Sequence, residues 1–124
     1  MRKPAIAALA ASFALAGVVA AAPTASAEAN PPGCGKGNFC IYSGENQTGT
    51  LVVKAVNNWS GSVSGRSIFN NGNVQPGFDH IQLTWTYNGG TWTDCYHYNP
   101  GPGRYKENFA AGVVFKKAVW RGEC

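Results

Sequence analysis

HIQLTWTYNGGTWTDCYHY, residues 80–98, decides the fold. From His80 to Tyr87 the residues Ile81, Leu83, Trp85 and Tyr87 alternate with Gln82, Thr84 and Thr86. That period of two puts one apolar face on a half-buried strand. Asn88-Gly89-Gly90 then reverses the chain, because Asn and Gly tolerate the positive φ of a tight hairpin. The return strand, Thr91 to Tyr98, places Trp92, Asp94, Tyr96 and Tyr98 on one side and Thr93, Cys95 and His97 on the other.

Outward from this hairpin, strands are expected at Asn38–Tyr42, at the β-branched Thr50–Val56, at Arg66–Phe69, at Arg104–Phe109 and at Gly112–Trp120. Asn57–Gly65 reads as a loop whose only anchors are Trp59 and Val63. Asn70-Asn71-Gly72-Asn73 reads as a turn, and the two prolines of Asn99–Gly103 (NPGPG) keep it out of helix. No segment carries a helical stripe. Six to eight short strands in an all-β sandwich is the architecture these periods predict.

The N-terminus belongs to a different regime. Arg2 and Lys3 precede a nearly unbroken apolar run from Ala5 to Ala22, and Ala25-Ser26-Ala27 supplies a small-x-small cleavage site. Residues 1–27 are thus expected to be a secretory signal peptide. Glu28–Gly33 (EANPPG) reads as a disordered lead-in, and residues 34–124 as one domain. Without the signal, eight basic residues face six acidic ones, a formal charge of +2. So small and scattered a charge excludes an electrostatic nucleic-acid footprint, and nothing after Ala27 is apolar enough to span a bilayer. The expected product is secreted, extracellular and monomeric.

Cys34, Cys40, Cys95 and Cys124 all lie in the exported part, an even count that reads as two disulfides. Of three pairings, spacing favours Cys34 with Cys40 and Cys95 with Cys124. Zinc is the competing use of four cysteines, but no C-x2-C pair exists and export is oxidising.

Catalytic material is scarce. Asp79-His80 and Asp94…His97 are the only acid–imidazole neighbours, and residues three apart on a strand point to opposite faces. With the thiols spent in disulfides, no catalytic residue, metal or cofactor is expected, and the protein reads as a binding module, not an enzyme. Four Trp and five Tyr allow an aromatic, carbohydrate- or cell-wall-binding face on Trp92, Tyr96 and Tyr98, although a small sandwich also fills its core with such rings. A small antimicrobial protein is a further alternative.

The segment CGKGNFCIYSGENQTGT (Cys34–Thr50) resembles the N-terminal signature of the actinobacterial (Streptomyces-type) metalloproteinase inhibitor family, and Arg66–Gly72 (RSIFNNG) is similar to that family's Ser-x-aromatic-Asn-Asn stretch. The resemblance implies a βγ-crystallin-like Greek-key sandwich, with Gly49 permitting a folded hairpin and Gln47 standing where an aromatic is usual. It also implies a secreted protease inhibitor whose partner is an extracellular protease, in the first place a metalloprotease, met by a rigid disulfide-braced loop. Thr93, Asp94, Cys95, Tyr96, His97 and Tyr98 are the candidate inhibitory loop, with residues 99–103 as second choice. Crystallin-type calcium positions fall near Ser62 and Val63, where Arg66 would oppose a cation, so no metal is expected.

Overall fold

The computed structural model describes residues 26–124; apart from Ser26 and Ala27, the expected signal peptide lies outside the described residues. Eight strands follow one another: β1 (Asn38–Tyr42), β2 (Leu51–Ala55), β3 (Trp59–Ser64), β4 (Ser67–Asn71), β5 (His80–Tyr87), β6 (Gly90–Tyr96), β7 (Lys106–Asn108) and β8 (Val114–Arg121). A short 3-10 turn at Glu45–Gln47 is the one helical element among the described residues. The strands form two antiparallel four-stranded sheets, ordered β2-β1-β4-β7 and β3-β8-β5-β6.

Those two orders are the same order. Replacing β1–β4 by β5–β8 turns one sheet into the other, so the chain is two Greek-key halves that exchange their third strands. The exchange makes the halves inseparable: neither sheet is complete without a strand from the other half. This is the crystallin-like sandwich that the resemblance implies.

Between the sheets lie Phe39, Ile41 and Ile68 from one side and Ile81, Leu83, Phe115 and Ala118 from the other. Phe115 and Ala118 both point inward although they are three positions apart, because the β5–β8 register shifts between Thr84 and Trp85. A bulge of one residue restores the inward face. All five residues of β1 are buried. Phe39 and Ile41 enter the sandwich, whereas Cys40 and Tyr42 pack with Cys34 and Leu51 in a second, smaller cluster.

That outer cover explains the fate of residues 28–33, for which composition gave disorder. Tyr42 donates its hydroxyl to the Pro32 carbonyl at 2.6 Å, the Asn71 amide donates to Asn30 Oδ1 at 2.8 Å, and Glu28 pairs with Lys106 at 2.8 Å. A free lead-in would hold none of these. The expected loop at 57–65 is also corrected, since Trp59–Ser64 is strand β3, paired to β8. Its anchors are as read: Trp59 and Val63 pack against the core. The polar SGS stretch between them hides the strand because β3 is an edge whose outer residues face water.

Asn70 and Asn71, expected in a turn, close β4 and are fully buried. The Asn70 amide donates to the carbonyls of Asp79 and Tyr96, and that of Asn71 to the Cys34 carbonyl at 2.8 Å. Buried amides are stable when so partnered. The Asn88-Gly89 reversal is as predicted, with φ of 49° and 79°.

Gln47, in the aromatic's position, is buried; its side chain donates to the Ile68 carbonyl and its backbone N–H to Ser67 Oγ. Beside that hairpin Glu45 pairs with Arg66 at 3.3 Å.

Candidate functional site

The six residues proposed as an inhibitory loop divide in two. Thr93, Asp94, Cys95 and Tyr96 are not loop: they form the end of β6, in unbroken register with Thr84, Leu83, Gln82 and Ile81 of β5. The long β5 ladder draws the segment into the sheet, as an edge strand. His97 and Tyr98 begin the true connection, which runs from β6 to β7.

Tyr96 is fully buried and donates its hydroxyl to Glu107 at 2.5 Å. Burial first, and the Glu107 carboxylate second, push its phenol well above the usual range. Arg104 lies 5.0 Å over the Tyr96 ring and pairs with Glu107 at 2.6 Å and with Asp94. The hydrogen bond from Arg104 to Asp94 is the main reason the guanidinium is held even more firmly charged. Asp94 also accepts the Cys95 N–H at 2.8 Å. One arginine thus ties the β6 edge to β7, in the other sheet.

The connection itself is closed at its base, where the His97 N–H donates to the Arg104 carbonyl at 2.7 Å. Asn99, 1% exposed, is its floor. Its backbone N–H donates to the Asn70 carbonyl at 3.0 Å, its side-chain amide donates to the Glu28 carbonyl at 2.8 Å, and its Oδ1 accepts the Glu28 N–H at 2.8 Å. Lys36 donates to the Asn99 carbonyl at 3.1 Å. Above this floor Pro102 and Gly103 are exposed, and Gly101 makes the turn with φ of 102°. Two residues upstream of His97, Cys95 is bonded to Cys124; the other disulfide joins Cys34 to Cys40. Both pairings are those that spacing favoured.

The acid–imidazole neighbours resolve into structural roles. Asp94 and His97 do not meet: Asp94 serves Arg104, while His97 Nδ1 lies 2.6 Å from the Tyr98 carbonyl. Asp79 and His80 do meet, at 2.8 Å, both buried. Burial alone would raise the Asp79 carboxyl, but the His80 bond and the Gln75 N–H outweigh it and hold the carboxyl below its usual range. The His80 ring packs edge-on against His97 at 4.6 Å, with no hydroxyl or thiol nucleophile bonded to it among the described residues.

The aromatic face does not assemble as proposed. Trp92 is 54% exposed, but Tyr96 is fully buried and Tyr98 half-buried. Trp92 and Tyr96 do share a face of β6, which the sandwich covers at Tyr96 and leaves bare at Trp92 near the hairpin tip, whereas Tyr98 lies beyond the strand's end. Sequence reasoning missed the buried asparagines, above all Asn99, which carry the floor of the connection. The proline pair beside Asn99 was the one local signal of a rigid turn.

The described residues form a cystine-clamped sandwich that holds one short connection from beneath, with both cysteine pairs in disulfides. Residues 27–78 match the model of peptidase inhibitor family I36, and this match supports a peptidase inhibitor and not an enzyme. The match spans the first Greek-key half, so the β6–β7 connection lies outside it. No curated protein and no solved structure matches the chain.

Proposed function

We propose that the protein is a secreted, monomeric inhibitor of extracellular metalloproteases, and that it presents the connection 97–103 together with the adjoining edge Thr93–Tyr96. The observation that carries the assignment is the double anchorage of this segment: Cys95 is bonded to Cys124, and Asn99 is held from below by Asn70 and Glu28. A segment already fixed in one conformation loses little entropy on docking, so its contact energy appears as affinity. The two disulfides suit an extracellular protein, and no helix among the described residues is long and apolar enough to cross a membrane. The metalloprotease preference rests on the sequence resemblance alone.

Titration of the purified 28–124 protein into a thermolysin-like metalloprotease and a subtilisin-like serine protease tests this. Stoichiometric loss of metalloprotease activity with the serine protease spared is expected. An excess of the protein that leaves the metalloprotease fully active refutes the target.

A further inference from the structure

We infer a second binding site, for a neutral saccharide, in the groove between the β2–β3 link and the loop that joins the two Greek-key halves. The groove encloses about 570 Å³, within the ~300–1,000 Å³ of small-ligand sites. Its position is set by the fold. Residues 56–58 form one wall, residues 73–78 the other, and Trp120, at the end of β8, lies between them. Gly72 lets the indole settle there, since a Cβ on Gly72 would stand 2.7 Å from Trp120 Cζ3.

The lining is amide and aromatic, and it holds no ionisable side chain. Asn58 uses its Oδ1 to accept the Trp120 backbone N–H at 2.8 Å, which fixes the amide and leaves its NH2 without a partner among the described residues. The side-chain amides of Asn57, Asn73 and Gln75 make no hydrogen bond to another described residue. The Trp120 indole N–H is enclosed by protein and has no acceptor among the described residues. Phe78 and Val56, each 63% exposed, stand at the rim.

This donor set selects its ligand by class. Side-chain amides offer both donors and acceptors, as a row of hydroxyls requires, and rings offer a surface for the C–H face of a sugar. An anionic ligand would find no cation in the lining. A peptide strand would find no free sheet edge there, because the walls are loops. The groove therefore fits a short stretch of uncharged glycan. It is distinct from the aromatic strand face considered above, and it lies across the 72–79 loop from His97 and Tyr98.

Isothermal titration of the 28–124 protein with cellotriose, chitotriose, the anionic trigalacturonate and a tri-alanine peptide tests the inference. At least one neutral trisaccharide is expected to bind one-to-one and to shift the Trp120 indole N–H resonance, while the anion and the peptide do not bind. Asn73→Ala and Gln75→Ala should each weaken that binding by about tenfold, the loss of roughly one hydrogen bond. Both side chains are exposed, so melting temperature and protease inhibition should stay as in the parent, which separates this site from the inhibitory one. Failure of both neutral trisaccharides at millimolar concentration overturns the inference. So does binding that both variants leave intact, or preferential binding of the anion or the peptide.

Discussion

Replacing Asn99 with alanine separates rigidity from contact. The side chain makes two hydrogen bonds of 2.8 Å to the backbone of Glu28 and a long one of 3.4 Å to Asn71. At about 1 kcal/mol net for each of the two good bonds, the loss is about 2 kcal/mol. Glu28 is only half-buried, so water can reclaim its backbone groups and no large further penalty arises. For a domain of this size each kcal/mol lowers the melting temperature by roughly 4–8 °C, which gives a drop of about 8–16 °C. The protein stays folded, since the Asn99 N–H still reaches Asn70 and both disulfides remain. Inhibition should suffer separately. Reordering the backbone of even one freed residue costs about 1–2 kcal/mol on docking, so the inhibition constant should rise by about tenfold. The assay pairs a circular-dichroism melt with inhibition of a thermolysin-like protease at a temperature where the variant is fully folded. A lowered melt with an unchanged inhibition constant refutes 97–103 as the docking element. An unchanged melt refutes the claim that Asn99 holds the floor.

Removing Cys95 and Cys124 together should destabilise the domain by between about 3 and 4 kcal/mol in urea unfolding, from the closure entropy of that loop; a loss below about 1 kcal/mol would show that the clamp is not what fixes the C-terminus. Gly49→Ala should cost about 1–3 kcal/mol, because φ is 77° and the new Cβ would stand 2.4 Å from Ser43 Oγ; a neutral result would mean that the folded hairpin does not need this glycine. Acid should weaken the fold through Glu28, lowered chiefly by its Lys106 hydrogen bond, and Asp79, lowered by the bonds that overcome its burial. Both release protons more readily when folded than unfolded, so their stabilisation is complete above the ordinary values of 4.5 and 3.8 and fades as pH falls through the lower folded ones. Urea midpoints between pH 7 and pH 2 should show that decline, and Asp79→Asn should flatten it; an identical acid limb in the variant would exclude Asp79 as a contributor.

The strands that read most clearly are those whose environment is two-sided. β1 and β5 stand at their expected limits, Asn38–Tyr42 and His80–Tyr87, since apolar runs and strict alternation are both consequences of where a strand's faces point. β3 was hidden because WSGSVS buries only Trp59 and Val63, so its pairing to β8 decides its conformation and its composition does not. The asparagines misled for a related reason. Asn favours turns in isolation, yet Asn70, Asn71 and Asn99 are interior residues whose amides find carbonyls supplied by distant segments. Local sequence carries no trace of such partners. The candidate site was legible in place and not in form: Cys95 and the proline pair mark the region, but only the β5 ladder shows that Thr93–Tyr96 is an edge strand and that the exposed loop begins at His97.

The most direct test of the account is an amide hydrogen-exchange footprint of the inhibitor bound to a thermolysin-like metalloprotease. Slowed exchange on complex formation should concentrate in residues 93–103, with the hairpin tip at Asn88-Gly89 and the loop at 72–79 unchanged. Protection that falls on those other segments and spares 93–103, or the absence of any complex, would contradict it.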